Sequence, residues 1–189
     1  MNYRPDSTDE DLVAGCCEGH RLAQRYLYER YAGKLLGIPL RYTRDRDDAL
    51  ALFNQAFLKI LNNLPGYQPT GPLGGWMARI VFNTCIDHVR SQKTYKQTIH
   101  FPETMTVEGV SRNEATDQLD AESITRLIQS LPDTARNVFS LYVIDGYRHK
   151  DIGEMLGIDE GTSRWHLAQA RKTLQKKIHE MEHSRTVNS

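Results

Sequence analysis

The residues whose chemistry stands out in this sequence lie between Gly161 and Ile178, a stretch with five basic side chains and no acidic one. The five are Arg164, Arg171, Lys172, Lys176 and Lys177, in a chain of 189 residues whose formal net charge is zero. Arginine and lysine at this density can bind phosphates, and arginine can also pair with the edge of a guanine. Although an isolated basic helix usually only keeps its charges in water, the residues around this one favour non-covalent recognition of a nucleic acid.

No set of side chains at catalytic spacing accompanies the basic stretch. The sequence contains no paired carboxylates, no nucleophile beside a base and no glycine-rich phosphate loop at such spacing, so we expect a protein that is not an enzyme and needs no cofactor. Cys16, Cys17 and His20 lie close together but lack a fourth ligand at useful spacing, so we expect no metal site. With Cys85 the cysteines are odd in number, and we expect reduced thiols.

The overall composition is that of a soluble globular protein, with 39% hydrophobic and 25% charged residues. No apolar run approaches the length that a membrane crossing needs, and the residues up to Asp11 are too acidic for a signal peptide. We therefore expect a cytoplasmic location and no membrane insertion.

The basic stretch is preceded by the pattern of a helix-turn-helix. Ile152, Met155 and Leu156 have the spacing of one buried helical face, and Gly157 can adopt the left-handed conformation that ends a helix. Asp159 can then cap the next helix by accepting hydrogen bonds from its first amides. The order of helix, three-residue turn and capped helix is the order that a helix-turn-helix requires.

A helical wheel of the second, basic helix separates two sides. The side predicted to be buried carries Ser163, Leu167, Ala170, Leu174 and Ile178. The side predicted to face outward carries Trp165, Ala168, Gln169 and Lys172. A tryptophan that points away from the core of a basic helix-turn-helix favours a nucleic-acid contact over a solvated surface.

The remaining sequence predicts further helices, so we expect an all-α protein of two small helical domains. Ahead of them, the residues from Tyr3 to Asp11 are expected to form a frayed acidic tail. The patterns predict two helices broken near Gly19, a helix capped at Asp45 to Asp48, a loop over 65–75 that cannot be helical, and a helix from Trp76 to about Lys93. The predicted domains span residues 11–97 and 122–183, joined by an acidic linker over 98–121.

The second domain is predicted to contain two helices before the helix-turn-helix. The first is ended by Pro132, and the next is capped by Asp133 and Thr134. The residues of this second helix that are predicted to point inward are Ala135, Val138, Phe139, Tyr142 and Val143. In the first domain, the buried stripe of the helix after Asp48 is predicted to be Ala49, Phe53, Ala56, Phe57, Ile60 and Leu64.

Three segments together resemble a known family. They are DRDDALALFNQAFLKILNNL, GGWMARIVFNTCIDHVR and LIQSLPDTARNVFSLYVIDGYRHKDIGEMLGIDEGTSRWHLAQARKTL. They are similar to regions 2 and 4 of bacterial RNA polymerase sigma factors, and the small two-domain kind, the extracytoplasmic-function group, fits best. The resemblance implies a protein that binds core RNA polymerase and directs promoter-specific transcription initiation.

The resemblance also implies which residues meet promoter DNA. Region 4 would enter the major groove of the minus-thirty-five element with Arg148, Lys150, Thr162, Arg164, Trp165, Ala168, Gln169 and Lys172. Region 2 would meet the melted minus-ten element with Tyr67, Arg79, Asn83, Arg90 and Lys93. The glycines around Tyr67 would let the backbone approach an unstacked base closely.

The face that resembles the polymerase-binding surface of the family departs from the family pattern. Its residues here are Asp48, Leu50, Ala51, Asn54, Gln55 and Leu58. The family usually has acidic residues and a Gln-Glu pair where this chain has apolar and amide groups, which implies weaker polymerase binding or a different partner. An anti-sigma protein is a further implied partner. Two alternatives remain, a sigma-like decoy that sequesters an anti-sigma protein or polymerase, and a stand-alone helix-turn-helix regulator.

Overall fold

The computed structural model describes residues 3–98 and 121–187, with side chains for 3–92 and 122–181. Every regular element in these ranges is a helix, which confirms the all-α prediction. The α-helices are α1 (Asp9–Cys17), α2 (Arg21–Leu35), α3 (Arg46–Asn63), α4 (Leu73–Thr98), α5 (Ala121–Gln129), α6 (Asp133–Phe139), α7 (His149–Leu156) and α8 (Glu160–Val187). The predicted acidic linker lies almost entirely outside the described residues.

The described residues form two compact units. The first contains the residues up to 40 and residues 45–87, and the second contains residues 41–44 and those from 88 onward. Helix α4 therefore begins in the first unit and ends in the second.

The first unit has an apolar core that α1, α2, α3 and α4 supply. All six residues of the stripe predicted for α3 are buried, and Leu52 is buried with them. Tyr28 of α2 packs its ring against Phe53 and Phe57, with ring centroids 5.4 and 5.0 Å apart. Leu12, Met77 and Val81 are fully buried and complete the packing. The 3.6-residue spacing of apolar side chains is therefore sufficient to orient α3.

The chain before α1 is packed, so the prediction of a frayed tail is wrong. Tyr3 is only 5% exposed, and its ring lies 5.3 Å from that of His20. Arg30 donates from Nη1 to Asp9 Oδ1 at 2.7 Å and from Nη2 to the carbonyl of Pro5 at 2.8 Å. These contacts join residues seventeen or more positions apart, and helical periodicity contains no information about such contacts.

The segment after α3 is more helical than predicted. Leu64–Gly66 forms a 3-10 turn, and α4 begins at Leu73, so that Gly74 and Gly75 lie in its first turn. The carbonyl of Pro72 accepts hydrogen bonds from the amides of Gly75 and Trp76 at 3.0 and 3.3 Å. Because these bonds already fix the first turn, two glycines there do not prevent a helix. Between α3 and α4, only residues 67–72 have irregular backbone.

In the second unit, α5, α6 and α7 all pack against α8. Leu131, Ala135 and Ala170 form a buried cluster, with Phe139 and Leu174 packed against it. The predicted helix-turn-helix is confirmed, since α7 ends at Leu156, Gly157 has φ 62° and ψ 40°, and α8 begins at Glu160. Ile152 and Leu156 are buried, as their spacing predicts.

A π-helix at Ser140–Ile144 follows α6 and corrects the predicted inner face. The amide of Asp145 donates to the carbonyl of Ser140 at 3.0 Å, five positions back. This wider turn changes the register, so Leu141 is fully buried while Tyr142 and Val143 are exposed. The prediction that Tyr142 and Val143 point inward is therefore wrong, because it assumed 3.6 residues per turn throughout.

Asp133 and Asp145 bind the short segment Arg41–Arg44 in the second unit. Arg44 donates from Nε and Nη2 to the two carboxylate oxygens of Asp133 at 2.9 and 3.0 Å, and the buried Tyr42 donates its hydroxyl hydrogen to Asp145. The predicted cap of α6 is also corrected: its N-cap is Pro132, without a side-chain hydrogen bond. The Asp133 carboxylate instead accepts from arginines.

Candidate nucleic-acid interface

The N-terminus of α8 is fixed by Asp159, as the sequence predicts. Asp159 Oδ1 accepts from the amide of Thr162 at 2.8 Å, and the Asp159 carbonyl accepts from the amide of Ser163 at 3.0 Å. The hydrogen bonds from the hydroxyl and amide of Thr162 lower the pKa of Asp159, so this cap is charged at neutral pH. The cap and the left-handed Gly157 set the angle at which α8 leaves the turn.

Burial confirms the two sides predicted for α8. Ser163, Leu167 and Ala170 are buried against the core of the second unit. The opposite side is exposed and consists of Arg164, Trp165, Ala168, Gln169 and Lys172. The Trp165 side chain is 57% exposed, which is unusual for a residue of its size. This surface, which we call the outer face of α8, combines an arginine, an amide and an aromatic ring within two helical turns.

Two residues predicted to contact DNA already have acidic partners. Arg164 Nη2 lies 2.5 Å from Glu160 Oε1, and the Thr162 hydroxyl donates to Asp159 Oδ2. Sequence analysis did not single out Glu160. The signal that was available is its position four residues before Arg164, the favourable order for an ion pair on a helix.

His149, another residue that sequence analysis missed, connects the two helices of the helix-turn-helix. Its Nδ1 lies 2.9 Å from the hydroxyl oxygen of the buried Ser163, and its ring stacks on Tyr142 with centroids 4.4 Å apart. Burial, and then the charge of Arg164, lower the pKa of His149, so the imidazole is neutral at pH 7. On either side of it, Arg148 and Lys150 are exposed at the start of α7.

Three of the α4 residues predicted to meet the minus-ten element, Arg79, Asn83 and Arg90, are exposed and form a polar stripe with the exposed Asp87. The carboxylate of Asp87 pairs with Lys59 of α3 at 3.7 Å. Arg90 donates from Nε to the carbonyl of Met155 at 2.7 Å. The side chain of Lys93 lies outside the described residues.

The loop between α3 and α4 brings two aromatic rings together. Tyr67 and Trp76 have ring centroids 4.9 Å apart, and the Tyr67 hydroxyl donates to the carbonyl of Gly71 at 2.9 Å. A Cβ at Gly74 would lie 3.0 Å from the ring of Tyr31, so glycine lets this ring approach the helix. Sequence analysis placed Trp76 only at the start of a helix and missed its contact with Tyr67.

The outer face of α3 is exposed at every position predicted to bind polymerase, namely Asp48, Leu50, Ala51, Asn54, Gln55 and Leu58. Leu50 is 40% and Leu58 62% exposed. Asn54 Oδ1 accepts a hydrogen bond from the hydroxyl of Tyr28 at 2.9 Å. Two large apolar side chains on one solvent-facing stripe are typical of a surface that binds another protein.

In the part of the chain that the structure describes, no three metal-binding side chains come close enough together to hold an ion. Over the same residues, no helix is both long and apolar enough to cross a membrane. The three cysteines are free thiols, with Cys16 and Cys85 buried and Cys17 exposed.

Comparisons with known proteins give a consistent result. Residues 27–95 match the family described as Sigma-70 region 2, and residues 121–174 match Sigma-70, region 4. The RNA polymerase sigma-H factor of Pseudomonas aeruginosa is 25% identical over 181 residues, which cover 90% of this chain and 93% of that protein. The ECF RNA polymerase sigma factor SigM of Mycobacterium tuberculosis is 28% identical over 176 residues, which cover 90% of this chain and 85% of that protein.

Among solved structures, the chain is similar to the sigma factor RpoE of Bartonella quintana, whose structure is a complex with the anti-sigma factor NepR. The two chains are 18% identical, with a TM-score of 0.48, over 82% of this chain and 96% of that one.

Proposed function

This chain belongs to the sigma-70 family as an extracytoplasmic-function sigma factor, and from that membership we propose how its surfaces divide the work of promoter recognition. It binds core RNA polymerase and directs promoter-specific initiation of transcription. Its family consists of transcription regulators rather than enzymes. We propose that the chain is likewise not an enzyme and acts through binding energy alone, without covalent chemistry and without a cofactor. Its place of action would be the cytoplasm.

We assign the outer face of α8 to the duplex minus-thirty-five element. The observation that carries this assignment is the exposure of Arg164, Trp165, Ala168 and Gln169 on a helix whose other side is buried. In a major groove, arginine can pair with guanine N7 and O6, glutamine with adenine, and Trp165 or Ala168 can contact a thymine methyl group. Arg148, Lys150, Thr162 and Lys172 would contact phosphates around that groove. Thr162 would first have to release Asp159.

We assign the exposed stripe of α4 and the adjoining loop to the minus-ten element. Arg79, Asn83, Arg90 and Lys93 would follow the backbone of the melted strand, and Arg90 would exchange its contact with the Met155 carbonyl for DNA. Tyr67 would stack on an unstacked base. Since its hydroxyl hydrogen is donated to the Gly71 carbonyl, this tyrosine would offer the base a ring face and not a donated hydrogen bond.

We assign the outer face of α3 to core polymerase. Asp48 begins this face, and Leu50, Ala51, Asn54, Gln55 and Leu58 continue it with apolar and amide groups. Such a surface would bind through apolar burial more than through charge. An anti-sigma protein is a further proposed partner, as the family resemblance implies.

Reconstituted transcription tests the proposal. With purified core polymerase, the chain should produce RNA that starts at particular promoters. Trp165→Ala should weaken the preference for one or two base pairs of the minus-thirty-five element about 5- to 100-fold, the range expected for loss of a base contact, while binding to core polymerase is unchanged.

Gln175→Ala is the matched control, because Gln175 is exposed on α8 beyond the base-contacting positions. An unchanged promoter preference in Trp165→Ala would reject the assignment of α8. Polymerase binding without any transcript would favour the sigma-like decoy. Tight binding to duplex DNA without polymerase would favour a stand-alone regulator.

A further inference from the structure

Glu160 places a carboxylate among the groups that are proposed to contact DNA. Its Oε1 lies 2.5 Å from Arg164 Nη2, and the two side chains are 47% and 66% exposed. The hydrogen bond and charge of Arg164 are the main causes of the lowered pKa of Glu160, with smaller effects from His149 and Lys150. Glu160 is therefore ionised at neutral pH, with Arg164 and Lys150 as its cationic neighbours.

A second carboxylate, that of Asp159, lies at the same end of α8. Asp159 accepts hydrogen bonds from both the amide and the hydroxyl of Thr162, the donors that a bound phosphate would otherwise use. The N-terminus of α8 therefore presents two negative charges beside the basic outer face. While Asp159 holds Thr162, this arrangement opposes a phosphate, whereas most anion sites at helix N-termini have free amides.

Phosphates and base edges place different demands on Arg164. A phosphate carries a full negative charge that Glu160 repels, and phosphates are present in DNA of every sequence. A guanine edge offers two neutral acceptors, N7 and O6, in a geometry that matches the guanidinium group. Glu160 therefore weakens a contact of Arg164 with a phosphate, which the carboxylate repels, more than it weakens a contact with the uncharged edge of a guanine.

We propose that Glu160 is a specificity-determining residue of promoter binding. It holds Arg164 along α8 and lowers the affinity of the outer face for phosphates, so that Arg164 contributes binding mainly where the DNA offers the matching base. This inference rests on the proposed function of α8, and it adds a residue that acts by reducing binding to the wrong DNA.

The test uses holoenzyme assembled from core polymerase and the full chain. Binding to duplex DNA without a promoter is measured over a range of salt concentrations. The base preference is measured by selection from duplexes with a randomised minus-thirty-five segment, and Arg164→Ala identifies the position that Arg164 contacts. Glu160→Gln should bind promoter-free DNA about 2- to 10-fold more tightly, with a salt slope steeper by about 1, because one more cation reaches a phosphate.

In the same variant, the preference at the position of Arg164 should fall several-fold, and preferences at other positions should be unchanged. Glu160→Asp separates charge from contact. Its shorter side chain keeps the negative charge, so the salt slope should remain that of the wild type while the base preference falls.

Glu180→Gln is the matched control, because Glu180 pairs with Lys176 at the same spacing on the same helix, at 3.7 Å. It should leave both measurements unchanged. Equal effects of Glu160→Gln and Glu180→Gln would overturn the inference. It would also be overturned if Arg164→Ala changes the base preference at one position and Glu160→Gln leaves that preference unaltered. If neither Arg164→Ala nor Trp165→Ala changes the preference, the proposed role of α8 fails instead.

Discussion

At the scale of single residues, the sequence predicted backbone roles better than side-chain contacts. Gly157 and Asp159 could be assigned because a left-handed glycine and a capping carboxylate depend on neighbours within a few positions. The outward direction of Trp165 followed from helical geometry alone. The contacts of His149 and Trp76 could not be derived, because they depend on side-chain conformations and on residues up to fourteen positions away, whereas the spacing of Glu160 and Arg164 was a signal that sequence analysis overlooked.

Replacing Gly157 with alanine should weaken the helix-turn-helix. Gly157 has φ 62°, a conformation that costs a residue with a Cβ about 1–2 kcal/mol. Hydrogen exchange of the amides of α7 and α8 should become faster by the corresponding factor, about 5- to 30-fold for exchange through local opening.

Gly33→Ala is the control for this substitution. Gly33 is exposed inside α2, has no positive φ and would meet no atom within 4 Å, so alanine should slow the exchange of α2 amides. Exchange at α7 and α8 that stays unchanged in Gly157→Ala would contradict the role given to this glycine.

At the scale of elements, helix type was predictable and helix register was predictable only where the turn stayed regular. All six residues predicted for the stripe of α3 are buried, because that helix has no interruption over eighteen residues, and only the burial of Leu52 was missed. The face after α6 was not, because the π-helix at Ser140–Ile144 displaces every later side chain. No signal of this wider turn was recognised in the residues themselves.

The register of the π-helix can be tested with two alanine substitutions. Leu141→Ala should destabilise the second unit by about 2–5 kcal/mol, since a fully buried leucine leaves a cavity. Val143→Ala should cost about 0.5 kcal/mol or less, because Val143 is exposed. Chemical denaturation that follows a probe in the second unit measures both values. A larger loss of stability in Val143→Ala than in Leu141→Ala would contradict the π-helix and support the register predicted from the sequence.

At the scale of the whole molecule, family membership was evident from the order of the segments, whereas the composition of the compact units was not. Residues 41–44 lie inside the region 2 match but belong to the second unit. The ion pair that holds them joins Arg44 to Asp133, eighty-nine positions along the chain. Contacts at such a separation leave no periodic pattern, so only the three-dimensional structure identifies them.

The outer face of α3 should gain affinity for core polymerase when the family's acidic character is restored. Leu50→Glu combined with Gln55→Glu adds two negative charges on the face where the family resemblance implies acidic residues. The complex with core polymerase should become tighter, and its affinity should fall more steeply with salt. Binding can be measured by competition against the unmodified chain.

Leu22→Glu is the control, since Leu22 is exposed to a similar degree on α2. It should leave the affinity for polymerase unchanged. Weaker binding of the double variant would instead indicate that a different partner occupies the outer face of α3.

Helix α8 continues without interruption from Glu160 to Val187, well past the end of the region 4 match at residue 174. At about 1.5 Å per residue, a continuous helix of 28 residues acts as a rod roughly 40 Å long. A fluorescent dye attached near its far end would therefore tilt together with Trp165, and polarised emission from that dye would show the angle at which the protein settles into the groove.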